Sequence, residues 1–179
     1  MEKLYGKLVF AAPLQSWGTA STPIFKRTSY IPTLSGVGGL IENALNLTYK
    51  NPLIDYIEDN IELYLDTEQS DMSGACSIME DFHKSNMDKH MCGNGKIDPK
   101  GLSIVRKEAI LDKKFVLYFR LYDDYITKGI GYCLEHPKRD LYLGRKEYPA
   151  GNVFKGVERV DVSKMYKITK RCSYRNCRG

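Results

Sequence analysis

The chain has 179 residues, 42% hydrophobic and 27% charged, with a mean hydropathy of −0.40, the profile of a globular domain rather than of a disordered, collagen-like or membrane-embedded chain. At this length about 70% of the unfolded surface can be buried, and five cysteines without a regular framework read as reduced thiols rather than as a disulfide scaffold. The net charge of +5 divides into −2 over residues 1–67, zero over 68–114 and +7 over 115–179, so the last third suits a polyanionic partner or forms a solvated basic tail. No run reaches the roughly 18 apolar residues of a membrane span. The first residues enter a strand pattern without a signal peptide, and a cytoplasmic protein without membrane contact is expected.

Alternation over Leu4–Ala11 predicts a first strand ended by Ala12-Pro13. Pro32-Thr33-Leu34-Ser35 opens a helix whose apolar face is Val37, Leu40, Ile41, Ala44 and Leu45. A short helix begins at Asn51-Pro52 and is expected to bury Leu53, Tyr56 and Ile57. Ile61, Leu63 and Leu65 alternate as the next strand. Residues 67–100 then turn polar and glycine-rich, an excursion too long for an idle connection. Strands are predicted over Leu102–Ile110 and Phe115–Tyr122 around a turn at Asp112-Lys113-Lys114, then a helix over Tyr125–Glu135, and a last strand over Val153–Val162. This order is the β-α-β-β-α-β of an α+β, ferredoxin-like or RRM-like core. The domain is expected over 1–162, with the excursion at about 68–107 and a basic, cysteine-containing tail over 163–179. Such a fold does not choose a function.

Three groups of residues could carry chemistry. Pro13-Leu14-Gln15-Ser16-Trp17-Gly18 joins a hydrogen-bonding amide and hydroxyl to the chain's one tryptophan, either a stacking surface or a plug closing the core, and chemistry alone favours the plug. The helix start at Ser35-Gly36 offers free N–H groups to an anion, although no Gly-Lys-Ser/Thr makes it a P-loop. Gly38 and Gly39 each cost about 1 kcal/mol in a helix and are read as permitting close packing or close approach of a ligand, with packing favoured. Lysines 84, 89, 96 and 100 and Arg106 line the excursion and suit phosphates, but the RRM signature run is absent from the strands.

These segments are specific in combination. The 13–18 motif, Arg27 with Pro32-Thr33-Leu34-Ser35-Gly36-Val37-Gly38-Gly39-Leu40, Asp81-Phe82-His83, and Tyr142-Leu143-Gly144-Arg145-Lys146 with Pro149 resemble, in order and spacing, the CasD subunits (CRISPR-associated protein, fifth family) of type I-E Cascade. The resemblance runs to about Val162. It implies an RNA-binding subunit of the RAMP superfamily with an RRM-like core and a protruding β-hairpin thumb. Such a subunit holds the 5′ handle of CRISPR RNA (crRNA), with the Cascade backbone subunit and the large PAM-reading subunit beside it and target DNA reached only through the complex.

On this reading the chain is an antiviral-defence subunit with no catalytic residue, cofactor or metal. Arg27, Arg106, Arg145 and Lys146 meet phosphates, helped by Lys84, Lys89 and His90 in the excursion. Gln15 and Trp17 shape the handle pocket, and Ser35 and Gly36 form the anion-accepting helix start. The competing function is a metal-independent endoribonuclease that processes repeat RNA, using His83 and Lys89-His90. A zinc site from Cys76, His83, His90 and Cys92 lacks the paired short knuckle, and whether Cys172 and Cys177 belong to a metal site or lead into another module stays open.

Overall fold

The computed structural model describes residues 2–169 apart from 20, 23, 49–50, 73–75, 87–89, 92–96 and 99–101. The elements run β1 (Lys3–Gln15), β2 (Trp17–Gly18), β3 (Phe25–Lys26), β4 (Thr28–Ser29), α1 (Leu34–Ala44), α2 (Leu53–Asn60), β5 (Ile61–Asp66), β6 (Ile78–Asn86), β7 (His90–Met91), β8 (Ile97–Asp98), β9 (Leu102–Leu121), α3 (Asp124–Glu135), β10 (Phe154–Val160) and β11 (Tyr166–Ile168). The main sheet has the order β10-β1-β9-β5-β11, with antiparallel neighbours. Counting β1, β5, β9 and β10 as the core strands gives the order fourth, first, third, second, with helices in the two crossovers. That is the ferredoxin-like arrangement.

One face of this sheet is covered by the helices. Leu8, Phe10, Leu63, Leu65, Phe115, Leu117 and Phe119 point inward against Val37, Leu40, Ile41 and Ala44 of α1 and Ile130 and Leu134 of α3, because alternate strand residues share a face and the apolar helix positions recur every three or four residues. Thr33 caps α1 by accepting from the Gly36 N–H at 3.2 Å, and Asp123 caps α3 by accepting from Ile126 at 2.8 Å. Tyr5, Val116 and Tyr118 occupy the opposite face, closed over by Val160 at the end of β10 and by Val162 and Met165 from the connection between β10 and β11.

Several elements differ from their sequence reading. The first strand does not stop at Ala12-Pro13 but continues to Gln15. The two strands expected on either side of Asp112-Lys113-Lys114 are a single strand of 20 residues. Both departures have one cause. The β1–β9 ladder pairs Ala12 with Lys113 and Leu14 with Leu111 in the same register and skips only Pro13 and Asp112. Proline has no N–H to give there, and Asp112 adopts a φ of 45°, so a defect of one pair passes without a turn. In α2 only Ile57 is buried, whereas Leu53 and Tyr56 are exposed. Part of the segment expected as tail is structural, since Tyr166–Ile168 pairs with Leu63–Leu65. Cys172 and Cys177 lie outside the described residues.

The excursion is built on β9. Its first half, Leu102–Ile110, pairs antiparallel with β6, and its second half lies between β1 and β5. Ile110 faces both Gln15 and Ile78, so β1 and β6 occupy opposite edges of β9. Below β1 on its edge, β3 pairs in parallel with Arg106 and Lys107. The hairpin β6–β9 thus has a three-stranded base, and the short ribbon β7–β8 pairs His90 with Asp98 beyond it.

Candidate nucleic-acid interface

The 13–18, 33–36 and 142–149 segments, far apart in sequence, meet at the end of β1. Ser16 donates its backbone N–H to the Leu143 carbonyl at 3.0 Å. Gly144 sits against the Ser16 carbonyl with φ of 85°, so closely that an added Cβ would lie 1.5 Å from that oxygen. Trp17 stacks on Phe10 with ring centroids 5.1 Å apart, and a Cβ on Gly36 would come within 2.8 Å of its indole. Glycine is required at 36 by this close approach and at 144 by backbone conformation as well. The packing reason expected for Gly38 and Gly39 does not hold: a Cβ at Gly38 would make ordinary contact with Glu58 at 3.5 Å, and one at Gly39 would meet nothing within 4 Å.

Burial corrects two assignments. Gln15 and Trp17 are both 0% exposed, so neither presents surface to RNA, and Trp17 is the plug. The Gln15 amide donates to the Lys113 carbonyl at 2.5 Å, bracing the strand where the ladder skips. At the helix start Ser35 is exposed, but the Gly36 N–H is engaged by Thr33 and its face by Trp17. Among the described residues, five buried side-chain polar atoms lack a hydrogen-bond partner: Gln15 Oε1, Ser16 Oγ, Trp17 Nε1, Arg145 Nη1 and Tyr148 OH. All five belong to this corner, which sets it apart from the rest of the core.

The cations gather around β3. Arg27 follows that strand, and its guanidinium lies 5.3 Å from the centre of the Phe25 ring. Arg106 donates its backbone N–H to the Ile24 carbonyl at 2.8 Å, and Arg145 Nη2 donates to the Lys26 carbonyl at 3.2 Å. Lys107, in register with Lys26, pairs with Glu147 at 3.0 Å. Three of the four predicted phosphate contacts therefore share one rim. Lys146 points elsewhere, into a hollow of about 390 Å³ with Pro137, Asp140 and Tyr142. Lys84 is exposed on β6 opposite Ile104. Lys89 lies outside the described residues, as does the side chain of His90.

Sequence reasoning missed the apolar part of this rim. Ile24, Phe25, Ile104 and Arg106 line an open groove of about 660 Å³, with Ile24 66% and Phe82 53% exposed. The signal was present in Phe25-Lys26-Arg27, too short to read as a strand alone. On the other face of the hairpin, His83 Nε2 lies 2.5 Å from Asp81 Oδ2. Among the described residues no group of three or more His, Cys, Asp or Glu side chains is arranged to hold a metal, and no helix is long and apolar enough to cross a membrane.

Fold and rim together define a ferredoxin-like α+β protein with a hairpin whose base is lined by arginines and aromatic rings. Residues 7–172 match the model of the CRISPR-associated protein (Cas_Cas5) family, and the chain belongs to that family. A solved "CRISPR RNA-guided surveillance complex" contains a similar chain, 23% identical with a TM-score of 0.68 over 83% of this chain and 61% of that one. A structure described as "Crystal structure of Cas protein" is 22% identical with a TM-score of 0.54 over 84% and 62%. The present chain thus spans about three fifths of the length of each. No curated protein matches it.

Proposed function

We propose that the chain is a non-catalytic crRNA-binding subunit of a type I-E Cascade surveillance complex, holding the 5′ handle and linking the backbone filament to the large subunit. The observation that carries this reading is the convergence of Arg27, Arg106 and Arg145 around β3, beside a hairpin that projects from the core. Membership of the Cas_Cas5 family and the shared fold with a chain of a CRISPR RNA-guided surveillance complex support it. The sheet face that an RRM uses is closed by Val160, Val162 and Met165, and the rim presents the exposed Arg27 beside Arg106, which Glu80 shares at 3.4 Å. The test is affinity for a handle-containing RNA at two salt concentrations. Affinity falls with salt, and Arg27→Ala lowers the slope of log affinity against log salt by about 0.7, the value for one single-strand phosphate. A salt-independent affinity, or none, defeats the proposal.

One contact favours the endoribonuclease reading. An imidazole oriented by a carboxylate, as His83 is by Asp81, is a general-base arrangement, and Lys107 stands in register opposite Asp81. In that chemistry the imidazole takes the proton of a 2′-hydroxyl, the freed oxygen attacks the adjacent phosphorus, the bond to the 5′-oxygen breaks, and the imidazolium returns the proton to that oxygen. Repeat RNA incubated with the chain in EDTA decides between the two. Intact RNA is expected, and cleavage lost on replacing His83 and His90 by Ala would establish the nuclease instead.

A further inference from the structure

We propose that the base of the β6–β9 hairpin is a stacking platform for unpaired RNA bases, built on the row Phe25–Arg106–Phe82. It is the base-contacting part of the proposed RNA site and rests on that reading. Arg106 is the register partner of Phe25 on β3 and of Phe82 on β6. Residues in register on neighbouring strands point to the same side of a sheet, so the three side chains form one row across three strands. Adjacent strands lie about 4.8 Å apart, which puts the backbones of Phe25 and Phe82 about 10 Å from each other with the guanidinium between them.

Both rings carry a cation. Arg106 lies 5.9 Å from the Phe82 centroid and Arg27 lies 5.3 Å from that of Phe25, distances at which the ring quadrupole attracts a guanidinium. Phe82 nevertheless stays 53% exposed and Ile104 38% exposed, on a hairpin where bare apolar surface invites aggregation. The open groove beside them is lined by Ile24, Phe25, Ile104 and Arg106. The carboxylates of that face are engaged, Glu80 with Arg106 at 3.4 Å and Glu108 with the Thr28 N–H at 3.0 Å, whereas Arg27 and Lys84 stand at its margins. An occupant with flat apolar faces and a regular negative charge matches both properties. Single-stranded RNA has them, because every base offers a π-face while the backbone supplies phosphates. A purely apolar protein knob would have no use for the flanking cations.

The experiment compares the 179-residue chain with Phe82→Ala and Phe25→Leu variants, measuring fluorescence anisotropy with a short single-stranded oligoadenylate and with an abasic ribose-phosphate strand of equal length. The expected result is a loss of about tenfold in oligoadenylate affinity for Phe82→Ala, in the range measured when a stacking aromatic is removed. Its salt slope should not change, and its weaker affinity for the abasic strand should match that of the wild type. Phe82 is half exposed, so its removal leaves the fold intact, and an unchanged melting temperature checks this. Wild-type protein that binds neither strand overturns the RNA reading and the platform with it. Wild-type protein that binds both strands equally, or Phe variants that bind oligoadenylate as well as wild type, overturns the platform alone. Phe variants that keep RNA affinity but no longer associate with another protein subunit assign the groove to that subunit instead.

Discussion

Gly144 is the position at which a single methyl group tests how the corner is held together. It has φ of 85°, and an added Cβ would lie 1.5 Å from the Ser16 carbonyl oxygen and 2.7 Å from its carbon. Both obstacles are backbone, so no side chain can swing aside. In Gly144→Ala the loop must lift away from β1, at a cost of about 1–2 kcal/mol for a left-handed alanine. Loss of the hydrogen bond from Ser16 N–H to the Leu143 carbonyl adds about 0.5–1.5 kcal/mol. The sum is about 1.5–3.5 kcal/mol, and for a domain of this size each kcal/mol lowers the melting temperature by about 2–4 °C. A drop of roughly 3–14 °C in thermal unfolding is therefore expected. Because Arg145 follows immediately and reaches Lys26 across the corner, RNA affinity should fall at temperatures where the variant is still folded. Gly129→Ala is the control, since a Cβ there meets nothing within 4 Å and the site is an exposed turn of α3, where alanine should stabilise by about 0.5–1 kcal/mol. A Gly144→Ala protein that melts with the wild type and binds RNA equally well would refute this account of the corner.

Three further outcomes follow from individual side chains. Trp17→Ala removes a fully buried indole and should cost about 3–5 kcal/mol, read as a lowered midpoint in urea unfolding. Glu42 has its carboxyl pushed above the usual range by burial first and by Glu58 and Asp55 second. A raised carboxyl favours the folded state only while protonated, so its contribution is lost as pH rises through the folded pKa, and Glu42→Gln should raise the melting temperature at pH 7 but not at acid pH. Tyr5 is pushed up to about 12, mainly by burial and then by Glu62. Its folded form therefore holds a proton that the unfolded form releases near pH 10. Ultraviolet titration should show this phenol ionising late, with stability falling between pH 10 and 12.

The core was legible because its signals are local and repeated. Leu8 and Phe10 alternate in β1, and Val37, Leu40, Ile41 and Ala44 recur at helical spacing, so burial follows from period alone. Pro13 and Asp112 misled because each reads as a turn by itself, and only their being opposite one another lets the two strands run on. The site was legible in part for a related reason. Resemblance singled out segments that the fold brings together at the end of β1, with Arg106 and Arg145 reaching β3. It did not say which side chains face outward. Gln15 looks like a ligand-binding residue in a polar motif, and the resemblance overrode the plug that the chemistry of Trp17 favours, yet the corner they form is interior. The aromatics of the rim are the half-buried Phe25 and the exposed Phe82, one on a two-residue strand and one in a polar excursion, where period carries no information.

The closed second face of the sheet gives the rim its importance. In an RRM, bases are read on the open face of the central strands, and here that face carries tyrosines in comparable places, with Tyr5 on β1, Tyr64 on β5 and Tyr118 on β9. Tyr5 and Tyr64 meet edge to face at 5.8 Å, and the Tyr118 hydroxyl donates to Glu158 at 2.8 Å. Their rings are spent on one another and on Val160, Val162 and Met165. The chain from β10 crosses beneath the sheet to add β11 beside β5, and in doing so it converts an aromatic binding face into a second small core. On the proposed function, RNA is contacted beyond the edge of the sheet. The extension of β9 past Ile110 supplies that surface, because the strand that leaves the core carries Arg106 to the point where β3 and β6 bring a phenylalanine to either side of it.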